Sequence, residues 1–134
     1  MFCIDKKIGS KALILENSKR LGVKPKFIFE EDIIRTLNKE NLSSFEKPNR
    51  LVIGGCDKNT KIQIINKFTQ DMNFGDIIVI PIIDIQTIKE LKEELENKNF
   101  KTNLILIQTY KRLSISEGMR FEPNNPVFLL KGKK

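Results

Sequence analysis

Four places along the chain gather residue types that could handle a polar ligand. Asp5 stands just past the apolar run Phe2-Cys3-Ile4, and a carboxylate at the carboxyl end of a buried strand can accept both hydroxyl protons of a ribose. Glu30, Glu31 and Asp32 follow a second apolar run; a carboxylate there could take an adenine amino group, with Ile33 and Ile34 covering a ring face. Gly54 and Gly55 close the run RLVI, where missing side chains let backbone come close to a ligand. Lys111, Arg112 and Arg120, with Gly118 and the sequence Asn124-Asn125-Pro126, place cations where they suit a polycarboxylate. Each group also has a plainer reading. The acids suit helix caps, the glycine pair a tight turn and the cations a solvated loop.

The elements that must position these residues follow from alternating short apolar runs and longer periodic segments, which predict an α/β fold. Strands are expected at FCID (2–5), KFIF (26–29), RLVIGG (50–55), IIVI (77–80), within 100–110 and at VFLL (127–130). A helix from about Ile8 to Leu21 would carry Ile8, Ala12 and Leu15 on one face, with Gly22 as its stop. Ile34 and Leu37 are at helical spacing before a polar segment that Pro48 and Asn49 close off. A helix over 60–72 uses Ile62, Ile65 and Met72, widened by Ile64 and Phe68, and Gly75-Asp76 turns the chain afterwards. Ile88, Leu91 and Leu95 mark a helix over 87–98, with Lys89 and Glu93 paired on its outer side. Residues 111–126 read as a loop, the KGKK end as a frayed tail, and the last two strands as an antiparallel pair at the sheet edge.

The chain has 134 residues, 40% of them hydrophobic, so a single domain over 1–134 with its own core is expected. Histidine is absent and the cysteines are two, Cys3 and Cys56. That removes the usual zinc sets, the Ser/His/Asp triad and a disulfide scaffold, and no metal is expected. Both cysteines read as small buried residues of a reducing compartment. No run of 18 apolar residues or leader pattern occurs, which predicts a soluble, cytoplasmic protein with no membrane partner. The net charge of +7 suits a phosphate- or carboxylate-rich partner, although scattered lysine explains it equally well. The nine phenylalanines and single tyrosine fall mostly in core-like runs, so nucleic acid is not the expected partner.

Taken in order, FCIDKK, NSKRLGV, FIFEED, LVIGG, FGDIIVIPI and GMRFEPNNPVFLLKGK make a series that resembles the decarboxylating, C15-methylating subunit or domain of precorrin-6Y C5,15-methyltransferase. The resemblance covers essentially the whole chain. It implies a class I, Rossmann-like methyltransferase sheet with an antiparallel C-terminal strand pair, S-adenosylmethionine as cofactor and a tetrapyrrole polycarboxylate as substrate. The reaction it implies is methylation of C15 of the tetrapyrrole with loss of the carboxyl group of the C12 acetate. By the same resemblance, Asp5 corresponds to the acid on the ribose, Asp32 with Ile33 lies near the adenine, and Gly54 and Gly55 open the active-site loop. Arg120 and Asn125 fall in the segment near the substrate. No catalytic residue is nominated.

Two departures accompany it. The family's glycine-rich loop, first strand and first helix should lie upstream of Met1, so the fold is expected to be N-terminally truncated. Cofactor binding by the chain alone is then expected to be weak or absent, and activity to require that segment. Without the central strand, the strands ending at Asp5 and Gly54 should face a gap or pair directly. Cys56-Asp57-Lys58 also stands where many members have a small, glycine-containing continuation. Other readings are another class I small-molecule or RNA methyltransferase, or a non-catalytic module that completes its sheet with another chain. A homo-oligomer or a partner methylase domain is compatible with either.

Overall fold

The computed structural model describes residues 1–38 and 47–134. Most of the polar segment expected after Leu37 therefore lies outside the described residues. The chain divides into two compact units, Met1–Glu46 and Lys47–Lys134.

The first unit runs β1 (Phe2–Ile4), α1 (Ser10–Arg20), β2 (Phe27–Phe29) and α2 (Ile33–Leu37). β1 and β2 pair in parallel, Phe2 opposite Phe27 and Ile4 opposite Phe29, and the rings of Phe2 and Phe27 stack 5.3 Å apart. Gly22 ends α1 as expected, taking φ 64 in the left-handed region that lets the turn close on Ser18 O and Lys19 O. The inward face of α1 differs from the expected one. Ile8 lies before the helix and is 91% exposed, Leu15 is exposed, and the inward stripe is Ser10, Ile14 and Ser18. That stripe keeps the helical four-residue step but is mostly small and polar, which a search for apolar periodicity passes over.

The second unit holds β3 (Arg50–Val52), α3 (Lys58–Thr69), β4 (Ile77–Ile82), α4 (Ile85–Glu96), β5 (Lys101–Ile107), β6 (Tyr110–Ile115), β7 (Gly118–Pro123) and β8 (Val127–Lys133). Its main sheet has the order β3-β4-β8-β5, with β3 parallel to β4 and β8 antiparallel to both β4 and β5. The expected antiparallel pair is thus present as β5 and β8. α4 buries Ile88, Leu91 and Leu95 as its spacing predicted, and the Lys89–Glu93 ion pair spans 3.9 Å on its outer side.

Every buried hydrophobic side chain among the described residues belongs to this second unit, from Ile53 to Leu130. Complete burial of an Ile or Leu is worth about 1.5–3 kcal/mol. Among the described residues of the first unit those buried are Ser10, Ser18 and Thr36, while Phe2, Ile4, Ile28 and Phe29 are half-buried. β1 and β3 each lie at the end of their own sheet with one strand neighbour.

Two stretches read as irregular are ordered strand. Residues 110–123 form the hairpin β6–β7, closed by Ser116 and Glu117. Neither turn residue has a positive φ; the Asn-Gly or Asp-Gly signal of the common hairpin turns is absent, so the sequence does not announce it. The KGKK end is not frayed. Lys131 to Lys133 continue β8, and Lys134 exchanges backbone hydrogen bonds with Gly75 and Asp76. Lys134 Nζ also donates to Thr69 O at 2.8 Å and sits 5.6 Å from the Phe100 ring centroid.

Candidate functional site

In the first unit the parallel register sets Asp5 and Glu30 side by side, one residue past Ile4 and Phe29. The Asp5 N–H extends the ladder by donating to Phe29 O at 3.0 Å. Its carboxylate is exposed; Oδ1 accepts from Lys7 N at 2.8 Å, and Oδ2 has no hydrogen bond among the described residues. One oxygen is therefore held by the following turn while the other is free to accept hydroxyls.

Glu30 is committed elsewhere. Gly9, the residue before α1, has no side chain to cap it, and Glu30 Oε2 reaches across from the end of β2 to accept from Lys11 N at 2.9 Å. Backbone donors of Lys11 and Gly9 hold its carboxyl below the usual value of 4.5, with lesser help from the Ser10 hydroxyl and the Lys11 charge. The plainer reading of this acid, a partner for a helix N-terminus, is the one realised. Asp32 is half-buried and caps the short α2, its Oδ1 accepting from Ile34 N at 2.8 Å; Ile33 and Ile34 are half-buried.

In the second unit the chain leaves β3 after Ile53, whose N–H bonds Val79 O at 3.0 Å. The β3–β4 register ends at Val52 and Val79, so Ile80 to Ile82 have β8 as their strand neighbour. Gly54 and Gly55 fill the exposed turn beyond that step, with Cys56 N donating to Gly54 O at 3.0 Å. Neither glycine has a positive φ, and a Cβ built on either would meet nothing within 4 Å. Backbone geometry does not require glycine at either position. The turn stands at the carboxyl end of a parallel strand pair, the end of the strands at which open α/β sheets hold their ligands.

The turn is braced from behind. Lys61, a buried lysine of α3, donates from Nζ to Cys56 O. Asp57 caps α3 through Thr60 N at 2.9 Å and the Thr60 hydroxyl at 2.6 Å, which hold its carboxyl below 3.8. At the end of β4, Asp84 caps α4 through the Thr87 hydroxyl and the N–H groups of Gln86 and Thr87, again with a lowered pKa. Ile83 is 78% exposed beside it. Sequence reasoning missed Lys61 and Asp84. An acid directly after an apolar strand and before a periodic segment was the available signal for Asp84; a lysine buried by its reach back to a turn carbonyl left none. Cys3 and Cys56 are in no disulfide among the described residues and are half-buried rather than buried.

Arg120 and Asn125 are exposed in another part of the second unit. Arg120 lies on β7 opposite Leu113. Gln108 and Thr109 face three residues, Asn124, Asn125 and Pro126, between the last β5–β8 pair and the first β6–β7 pair. These five residues break the ladder, so that β6 and β7 form a sheet of their own. Asn124 bridges the break by donating from N to Thr109 O at 2.9 Å and from Nδ2 to Thr109 Oγ1 at 3.0 Å.

Compared with protein-family models and with curated protein sequences, the chain matches none. Solved structures do resemble it. Precorrin-6Y C5,15-methyltransferase from Geobacter metallireducens aligns with 99% of the chain and 67% of its own length at 20% identity, with a TM-score of 0.77. Precorrin-8W decarboxylase from Methanobacterium thermoautotrophicum aligns over 99% and 69% at 19% identity, TM-score 0.78. A tRNA (m1A58) methyltransferase from Aquifex aeolicus aligns over 99% and 52% at 15% identity, TM-score 0.61. The shared feature is the class I methyltransferase fold, α/β with a mixed sheet, of which this chain spans about two thirds of the precorrin structures' length. No helix among the described residues is long and apolar enough to cross a membrane.

Proposed function

We propose that the chain carries part of the site of an S-adenosylmethionine-dependent methyltransferase acting on a tetrapyrrole polycarboxylate. The specific reaction proposed is C15 methylation of precorrin-6Y with decarboxylation of its C12 acetate, in the cytoplasm. The observation that carries the reading is the Gly54-Gly55 turn, bare at a strand's carboxyl end with no conformational need for glycine. The fold similarity to a precorrin-6Y methyltransferase over 99% of the chain supports the reading.

The residues present fit the cofactor in part. Asp5 Oδ2 can accept ribose hydroxyls while Oδ1 stays on Lys7 N, and Asp32 with Ile33 would border the adenine. The backbone of Gly54 and Gly55 would approach the cofactor without side-chain interference. Arg120 and Asn125 would face the substrate, the guanidinium pairing with a carboxylate. S-adenosylmethionine, when bound, supplies an electrophilic methyl group. The residues' own task is positioning rather than acid–base work. No Gly-x-Gly turn occurs anywhere in the sequence, so the chain by itself should bind the cofactor weakly. Micromolar affinity in a calorimetric titration of the 134-residue chain would overturn that expectation.

The test of the reaction is transfer of a labelled methyl group to precorrin-6Y with release of carbon dioxide, run with any in-frame segment encoded upstream also present. Transfer to RNA in the same assay would favour the RNA reading instead. A second reading, a non-catalytic module that completes its sheet with another chain, is favoured by the single strand neighbour of β1 and of β3. It requires that S-adenosylmethionine leave the protein's spectrum unchanged.

A further inference from the structure

The two faces of the main sheet differ. Gly132 of β8 looks toward α4, since a Cβ built on it would lie 2.8 Å from Ile78 Cγ2 and 3.3 Å from Leu95. Strand alternation therefore sends its neighbours Lys131 and Lys133 to the opposite face. The register sets Val79 beside Lys131 on that same face, and Pro81 and Ile105 on either side of Leu129. Val52 of β3 stands next to Val79.

This second face is apolar with one basic corner. Val52 is 70% and Ile105 48% exposed, while Val79, Pro81 and Leu129 are half-buried. Parallel pairs such as β3 and β4 are ordinarily covered on both faces, so aliphatic side chains left in water here mark a surface that something else covers. At the corner, Lys101 stands directly opposite Lys133, with Lys131 two residues along β8. All three lysines are exposed and make no ion pair among the described residues. Like charges directly opposite on a sheet are destabilising. Carboxylates placed over them would relieve that repulsion as well as add attraction.

We propose that this face docks an acidic amphipathic helix of a partner protein. Its apolar stripe would lie on Val79, Pro81, Leu129 and Ile105, and its carboxylates over the three lysines. Four strands about 4.8 Å apart make a face roughly 14 Å across, wide enough for a helix of about 10 Å diameter. Charge and shape select this occupant. A second copy, itself at +7, would set lysine against lysine at the corner. A nucleic-acid backbone supplies the charge without apolar side chains for the rest of the face. A bilayer surface suits lysines that ring an apolar patch, whereas these stand at one corner of it.

The test is fluorescence anisotropy of a labelled helical peptide of about 15 residues, with leucines at helical spacing along one face and glutamates beside them, titrated with the 134-residue chain. The expected result is saturable binding that weakens about tenfold from about 50 mM to about 500 mM salt. Lys131→Glu should weaken it about tenfold, and Ile105→Ser, which leaves the charge alone, about fivefold, each with the circular-dichroism spectrum unchanged. Lys67→Glu, the same charge reversal on the exposed side of α3, should change it by less than about twofold. No binding at millimolar peptide would overturn the proposal. So would equal binding of the peptide with glutamine for every glutamate, or equal losses from Lys67→Glu and Lys131→Glu. Tighter binding to phosphatidylglycerol vesicles or to duplex RNA, lost in the Lys131→Glu chain, would assign the face to lipid or nucleic acid and overturn it as well.

Discussion

The carboxylate of Glu30, at the end of β2, accepts a hydrogen bond from the backbone N–H of Lys11 at 2.9 Å, although the two residues are 19 apart in sequence. It supplies from another strand the cap that Gly9 cannot give α1. Because its pKa is lowered from 4.5 in the folded chain, the stability it contributes is full above that value and is lost as pH falls through the folded pKa. Asp57 and Asp84, lowered from 3.8, add to the same acid-side loss. Glu30→Ala should raise the hydrogen-exchange rate of the Lys11 amide several-fold at neutral pH. Glu30→Gln should keep part of the protection while removing its dependence on acid; identical pH profiles for Glu30→Gln and wild type would refute the assignment.

The C-terminal end should matter to stability. A Cβ on Gly132 would lie 2.8 Å from Ile78 Cγ2, 3.2 Å from Phe100 and 3.3 Å from Leu95, three residues of the core. Gly132→Ala is expected to destabilise by about 1–3 kcal/mol through overpacking, read as a lower urea midpoint at unchanged slope. Deleting residues 132–134 removes the Gly132–Ile78 and Lys133–Ile77 pairs of β8 with β4 and the Lys134–Thr69 bond as well, and should cost more than the substitution. An unchanged midpoint for the deletion would mean that the end is frayed after all.

The two units should differ in local stability. β4 and β8 run through fully buried Ile78, Ile80 and Leu130, whereas β1, α1 and β2 contain no buried hydrophobic residue. Hydrogen exchange should therefore show amides of β1, α1 and β2 opening at free energies well below those of β4 and β8. Equal protection in the two units would contradict the packing described.

The order of strands and helices was legible because the second unit's core follows simple periods. Ile88, Leu91 and Leu95 on α4 and the alternating burial of β4 are both direct readings of spacing. The rest depended on partners distant in sequence. The role of Glu30 needs Lys11, the order of the final lysines needs Gly75, Asp76 and Thr69, and the hairpin lacks turn residues with a distinctive φ. Of the candidate site, Asp5, Gly54 and Gly55 stand at strand ends as expected, while Arg120 and Asn125 proved to lie on or beside an ordered hairpin rather than in a loop.

Gly54→Ala and Gly55→Ala should leave stability within about 1 kcal/mol of wild type, since both positions have ordinary φ and room for a methyl group. Their effect should fall on ligand binding. A stability loss well beyond that value would make the pair a folding requirement and remove the main support for a site.

The most direct test of the proposed cofactor site is a ¹⁵N-resolved NMR titration of the chain with S-adenosylmethionine, which detects weak binding residue by residue. Saturable shifts are expected at Asp5, Asp32, Ile33, Gly54 and Gly55, with a Kd in the millimolar range that Gly55→Ala weakens further. Shifts confined to other residues, or none at millimolar cofactor, would contradict it.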